Sequence, residues 1–175
     1  MSDFVEVWRS SPPFLAVESA EVEHHGRAWT QHRVVVGDDA GGVVMVALRG
    51  GTVGLVRVWR PAVGESRLEL PRGMREGADP EDDARRELLE ETGHAAVSAR
   101  KLGELDLDTS LVPTRIHVFK VVIGEGSPGP SDGEVDEVVW VEASELPRLV
   151  AEGVVRDGIS LAALAMWAAS GGSSG

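Results

Sequence analysis

The residues best suited to chemistry in this sequence are the glutamates of the segment RELLEETG, residues 86–93. Glu87 and Glu91 are four residues apart, so on a helix they lie on one face, with Glu90 beside them. The ordinary interpretation is a solvated acidic face on which Arg86 offsets the charge of Glu90. The alternative is that the carboxylates converge on a divalent cation, and ligands that are all oxygen favour Mg²⁺ or Mn²⁺ over Zn²⁺.

The same segment carries the signals of a helix that would position these glutamates. Asp79 is a good N-cap, and Pro80 suits the first helical position because its missing N–H would have no partner there. Gly93 can adopt the left-handed conformation that ends a helix. The pattern predicts a helix from about Pro80 to Thr92.

The string RELLEETG follows a glycine-containing loop and the capping residues DPE, and in this context it resembles the Nudix box of the Nudix hydrolase family. The match involves Arg86, Glu87, Glu90, Glu91 and Gly93 together, and it favours a metal site over a solvated face. The resemblance implies a hydrolase of a diphosphate bond. It also implies that Glu87, Glu90 and Glu91 hold Mg²⁺ or Mn²⁺, and that Arg86 orients the carboxylates by ion pairing.

Two departures distinguish this segment from the family pattern. The interval from Gly73 to Arg86 is one residue shorter than usual, and Ala78 stands where the first glutamate of the box is expected. The number of bound metal ions is therefore left open. Three nearby acids are candidate substitutes for the missing glutamate: Glu76, Asp79 and Asp82.

The stretch LVRVWRPAVGESRLELPRG resembles, more narrowly, the ADP-ribose pyrophosphatase branch of the family. The resemblance implies that Arg60 contacts a substrate phosphate and that Glu69 takes part in substrate binding. Arg57 is a further candidate for substrate binding. However, it is three residues from Arg60, so on a strand the two side chains point to opposite faces. Arg72 occupies a position that is usually alanine: its backbone carbonyl would bind metal, or its side chain would reach a phosphate.

The branch also supplies a loop carboxylate to its metal site, and Glu134 matches that position. One more solvated acid is the competing interpretation of Glu134. In the mechanism that the resemblance implies, Glu134 or Glu90 takes a proton from the attacking water. ADP-ribose would give AMP and ribose 5-phosphate. The alternatives are a nucleoside diphosphate sugar or a nucleoside di- or triphosphate as substrate, a nucleotide-binding module without catalysis, and a scaffold with an acidic face.

Composition limits the classes of partner. The 175 residues carry a formal charge of −12, which disfavours nucleic acid as a partner because phosphate backbones need clustered cations. We expect a protein without a membrane span, because no apolar run approaches about 18 residues. The sequence has no cysteine and no signal-peptide pattern, and we expect a cytoplasmic protein.

The remaining sequence alternates between strand and helix patterns without a repeat, so we expect one domain over residues 1–170, with flexible ends at 1–12 and 171–175. The pattern predicts an α+β sandwich with a mixed sheet and helices on both sides, preceded by an N-terminal antiparallel hairpin that turns at Gly26. Residues 124–137 are predicted to form a loop. The predicted strands are Val43–Leu48, Val53–Trp59, a short one at Leu68–Leu70, one within Ala95–Leu107, Ile116–Ile123 and Val138–Val141, and the later helices are Ala143–Glu152 and Ser160–Ala169. The branch resemblance implies a homodimer whose N-terminal strands pack against the partner.

Overall fold

The computed structural model describes residues 3–10, 15–37, 41–124, 126–131 and 133–172. The first three strands form an antiparallel sheet of their own, in the order β1-β2-β3. They are β1 (Val5–Arg9), β2 (Leu15–His24) and β3 (Arg27–Val36). The predicted hairpin is confirmed, and its turn contains His25 and Gly26, both with positive φ. Strand β1 lies within the first twelve residues, which we expected to be flexible.

The second sheet has seven strands and is mixed. Its order is β10-β5-β4-β9-β8, with β6 beside β5 and β7 beside β4. Strands β4 and β9 are parallel, and the other pairs are antiparallel, as predicted for a mixed sheet. The strands are β4 (Gly42–Arg49), β5 (Thr52–Arg60), β6 (Glu65–Glu69), β7 (Arg72–Met74), β8 (Ala96–Asp108), β9 (Val112–Ile123) and β10 (Glu137–Glu142).

Helices cover both faces of this sheet, so the predicted layers are confirmed. The continuous apolar run of β4 is explained because alternate side chains of a strand enter the cores on its two faces. Val43 and Met45 pack with Ala84 and Leu88 of α1 (Pro80–Thr92). On the other face, a second core includes β4 residues and the apolar side of α3 (Gly158–Ala169). A short helix, α2 (Leu146–Ala151), adds Leu146 to that second core.

The ends of α1 agree with the local signals. The Asp79 side chain accepts a hydrogen bond of 2.9 Å from the Glu81 N–H, and Gly93 has a φ of 70°. Strand β7 was not predicted, because three residues between a proline and a short loop carry no periodic pattern. The predicted helix at Ala143–Glu152 is a 3-10 turn followed by α2.

No helix within the described ranges is long and apolar enough to cross a membrane.

The residue that follows the α1 cap gives a test of stability against pH. His94 is buried with its ring edge-on to Trp140, at 5.7 Å between centroids. Burial lowers the pKa of His94, and the charge of Arg49 lowers it further. The unfolded chain therefore takes up a proton at a higher pH than the folded one does, so stability falls as the pH drops below the ordinary histidine value of 6.5.

We expect the free energy of unfolding to fall more steeply in the wild type than in His94→Gln between about pH 7 and about pH 5. Urea titrations across that range measure it. His32 is exposed, so His32→Gln should keep the wild-type slope and serves as the control. Equal slopes in wild type and His94→Gln would contradict the assignment.

Candidate active site

A cavity of about 490 Å³ lies beside the acidic face of α1, and we call it the carboxylate cavity. Strand β7, paired with the first residues of β4, forms its wall next to the helix. Most of the residues predicted for the site come together here. The charged residues that line it are Glu76, Glu87, Glu90, Glu91, Glu134, Arg60, Arg72 and Arg86.

The close approach of β7 to α1 determines where two of these glutamates lie. A Cβ atom added at Gly73 would overlap the carboxyl group of Glu87, so only glycine leaves room for that side chain. Glu91 is buried, and its Oε2 accepts a hydrogen bond of 2.9 Å from the Arg72 N–H. The backbone of β7 thus cradles Glu87 and Glu91 one helical turn apart.

Arg86 lies among the carboxylates as a neutralising cation. Its Nη1 is 2.8 Å from Glu90 Oε2, and its Nη2 is 2.9 Å from Glu87 Oε1. Nη2 also donates a hydrogen bond of 3.0 Å to the carbonyl of Met74. These contacts are those expected of a residue that orients carboxylates by ion pairing.

The pKa values of Glu87 and Arg86 are both shifted by the acidic residues that surround them. Burial raises the pKa of Glu87, Arg86 opposes that rise, and the charges of Glu90 and Glu76 add to it. Burial would lower the pKa of Arg86, but the surrounding glutamates outweigh it and the pKa is raised. Five glutamates and three arginines line the cavity, so it carries an excess of negative charge that a divalent cation would offset.

The residues fit an Mg²⁺ or Mn²⁺ ion in type and location, since five glutamates line the cavity and carboxylate oxygens are the ligands that these ions prefer. The carboxylate groups of these glutamates do not converge on one point, however. In the part of the chain that the structure describes, no three Asp, Glu or His side chains are gathered closely enough to hold a metal ion. The physical reason is that Glu87 and Glu90 are turned toward Arg86.

A second cavity of about 670 Å³ adjoins the first, and we call it the arginine cavity. It shares Arg60 and Arg72 with the carboxylate cavity. Glu69, only 1% exposed, holds both arginines: its Oε2 is 2.7 Å from Arg60 Nη2 and 2.8 Å from Arg72 Nη2. Glu69 therefore contacts the predicted phosphate-binding arginines directly. The charged residues that line this cavity are Arg60, Arg67, Arg72, Arg156, Glu69, Asp106 and Asp157.

Arg57 is the predicted site residue that the structure does not bring to this cluster. It lies outside the lining of both cavities, and its Nε is 3.0 Å from Glu137 Oε2 of the neighbouring strand. This follows from the alternation of side chains along β5, which separates Arg57 from Arg60.

Sequence reasoning missed the role of Asp83. This carboxylate is 3% exposed and accepts hydrogen bonds from the N–H groups of Glu76, at 3.2 Å, and Gly77, at 3.0 Å. Burial would raise the pKa of Asp83, but these two bonds and Arg86 outweigh it, so the pKa is lowered. The only available signal was one more acid in the first turn of a helix, a position that the helix dipole already explains.

Gly73 gives a direct test of the cradle. In Gly73→Ala, the new methyl group should displace the Glu87 carboxylate and lower kcat by roughly 100-fold, because small misplacements of reacting groups are costly. Steady-state hydrolysis assays with Mg²⁺ measure this. Gly126→Ala is the matched control, since a Cβ there meets no atom within 4 Å. A Gly73→Ala protein as active as Gly126→Ala would show that the cradle has no role.

Comparisons with known proteins agree with this geometry. Residues 38–163 match the family model described as "NUDIX domain". The chain is 33% identical over 135 residues to a GDP-mannose pyrophosphatase of Klebsiella pneumoniae, covering 71% of this chain and 68% of that protein. It is 35% identical over 100 residues to an ADP-sugar pyrophosphatase of Mus musculus, covering 53% of this chain and 46% of that protein.

A solved structure titled "Crystal structure of ADP compounds hydrolase" superposes with a TM-score of 0.79 over 97% of this chain and 94% of that chain. At 19% sequence identity, this likeness shows the fold alone. The acidic helix, its glycine cradle and the match over residues 38–163 lead to one conclusion: the chain belongs to the NUDIX domain family and is a hydrolase of that family.

Proposed function

We propose that the protein is a Mg²⁺-dependent hydrolase of a nucleoside diphosphate linked to another group, with ADP-ribose as the first candidate substrate and AMP and ribose 5-phosphate as products. The observation that carries this proposal is the meeting of five glutamates with Arg60 and Arg72 around one cavity. Carboxylates suit a divalent cation, and the planar guanidinium groups suit phosphate oxygens. The relatives are named as pyrophosphatases of nucleotide sugars, which supports the same bond type.

Glu87, Glu90, Glu91 and the carbonyl of Arg72 would hold the cation. When bound, it supplies positive charge to the diphosphate and makes a water molecule easier to deprotonate. Arg60 and Arg72 contact the phosphate oxygens, and Glu69 keeps their guanidinium groups side by side.

Glu134 is the first candidate for the base, because it matches the loop carboxylate of the branch and lines the carboxylate cavity. Glu90, which also lines the cavity, is the alternative. Glu134 takes the proton as the water oxygen attacks one phosphorus. The bond between that phosphorus and the bridging oxygen breaks, and the oxygen leaves with the other phosphate.

A second candidate is a nucleoside diphosphate sugar, because the relatives are named for GDP-mannose and ADP-sugars. The arginine cavity, at about 670 Å³, has room for the group attached to the second phosphate. A nucleoside di- or triphosphate remains a further alternative. The presence of Glu87, Glu90 and Glu91 together favours catalysis over a module that only binds nucleotides.

Glu91 tests the metal-dependent reaction. In Glu91→Gln, the fold should be retained and turnover should fall by about 100-fold or more. Removing a metal ligand should lower activity at least as much as removing the residues that hydrogen-bond to such a ligand, which typically lowers it about 10- to 100-fold. A phosphate-release assay with Mg²⁺ across ADP-ribose, nucleotide sugars and nucleoside triphosphates measures activity and ranks the substrates. Glu152→Gln, on the exposed end of α2, is the control. Normal turnover in Glu91→Gln would remove the metal-site argument.

We also propose a homodimer formed through the N-terminal sheet, one domain over residues 1–170, and a cytoplasmic location. Strand β1 is exposed along its whole length, and Val5, Val7 and Trp8 are more than half exposed. Apolar side chains in such a row favour contact with another surface. The location is supported by an acidic chain without cysteine, which suits a reducing compartment.

Light scattering coupled to size-exclusion chromatography tests the dimer. We expect twice the monomer mass for the wild type and a shift toward monomer for Trp8→Glu, because a charge in an apolar contact is costly. Arg9→Glu, at a position that is already charged, is the control. A monomeric wild type would contradict the proposal.

A further inference from the structure

The family pattern has a glutamate where this chain has Ala78. The structure distinguishes the three acids that could replace it by their positions and contacts. Asp79 is occupied in capping α1, since its side chain accepts the Glu81 N–H at 2.9 Å. Asp82 lies on the exposed side of α1. Glu76 lines the carboxylate cavity together with Glu87, Glu90 and Glu91. Glu76 is therefore the candidate that shares the cavity.

The buried carboxylate of Asp83 fixes the position of the backbone at Glu76. Asp83 Oδ1 accepts hydrogen bonds from two consecutive N–H groups, those of Glu76 at 3.2 Å and Gly77 at 3.0 Å. Bonds to a charged acceptor are stronger than neutral ones. The backbone at Glu76 is thus tied to the first turn of α1, and its side chain leaves from a fixed point at the edge of the cavity.

Two arginines close the rest of this short loop. Arg86 donates a hydrogen bond of 3.0 Å to the carbonyl of Met74. Arg75 donates to the carbonyls of Gly77, at 3.3 Å, and Ala78, at 3.2 Å. These bonds hold the chain from residue 74 to residue 78 in a compact turn, and the turn faces the cavity through Glu76.

Glu76 shares the cavity with Arg86 and Glu87, which are joined by an ion pair of 2.9 Å. The exposure of Glu76 leaves its side chain free of any packing role, so replacing it does not threaten the core.

We propose that Glu76 supplies the carboxylate that is missing at position 78 of the metal site, and that Asp83 is the residue that positions it. This inference rests on the proposed function, since it adds a ligand group to the same cation site. It identifies a loop residue before α1, rather than one at the expected place in the motif, as part of the cation-binding set.

Mn²⁺ binding tests the role of Glu76 without an activity measurement. Titration followed by electron paramagnetic resonance gives the dissociation constant and the number of bound ions. We expect Glu76→Gln to weaken Mn²⁺ affinity by about fivefold or more, or to remove one ion from the stoichiometry. Asp82→Asn removes the same charge from the exposed side of α1 and should change affinity less than about twofold. Equal effects in the two variants would overturn the proposal.

A double-mutant cycle tests the role of Asp83. If Asp83 acts through Glu76, the single variant Asp83→Asn should bind Mn²⁺ more weakly than the wild type. In the Glu76→Gln background, the same substitution should cause little further loss of affinity. Should Asp83→Asn unfold, Gly77→Pro removes one N–H donor to Asp83 and leaves both carboxylates in place. The positioning role of Asp83 would be overturned if the effects of Asp83→Asn and Glu76→Gln on Mn²⁺ affinity were fully additive. It would also be overturned if whichever of Asp83→Asn and Gly77→Pro folds bound Mn²⁺ with the wild-type affinity.

The two proposals fail in distinguishable ways. If Glu91→Gln abolishes Mg²⁺-dependent hydrolysis while Glu76→Gln binds Mn²⁺ as Asp82→Asn does, only the role of Glu76 is wrong. If the wild type neither binds Mn²⁺ nor hydrolyses any diphosphate of the panel, the proposed function is wrong and the role of Glu76 falls with it.

Discussion

The site depends on the contact between the backbone of β7 and one face of α1. A three-residue strand lies so close to the helix that Gly73 has no room for a side chain beside Glu87. One residue earlier, the N–H of Arg72 binds Glu91. The pairing of β7 with β4 holds that strand in the sheet. The sheet therefore determines where the acidic residues lie, and the helix determines only their spacing.

This arrangement concentrates like charge at some cost to the fold. Glutamates four residues apart on a helix repel by roughly 0.2–0.5 kcal/mol per pair, and partial burial adds to that. Arg86 offsets part of the repulsion through Glu87 and Glu90. An uncharged helix in the same place would be easier to fold, which is the usual relation between an active site and stability.

The features that sequence reasoning predicted are those whose causes are local. Asp79 and Gly93 mark the ends of α1, and the apolar run of β4 marks a strand buried on both faces. The sharing of Glu69 by two arginines could not be predicted, because it depends on bringing the end of β5 beside β7. Asp83 was missed for a similar reason: its partners are N–H groups of a loop, and the folded shape of that loop cannot be read from its letters.

The arginines beside Glu69 affect the rate at which an anionic substrate reaches the site. The chain as a whole carries a charge of −12 and repels a diphosphate at long range. At physiological ionic strength, however, the Debye length is about 8 Å, so most of that distant charge is screened. Four arginines and three acids line the arginine cavity, so a positive charge is left in excess there. An approaching diphosphate is therefore attracted by this local excess, and dilute buffer slows its encounter with the enzyme more than saline does.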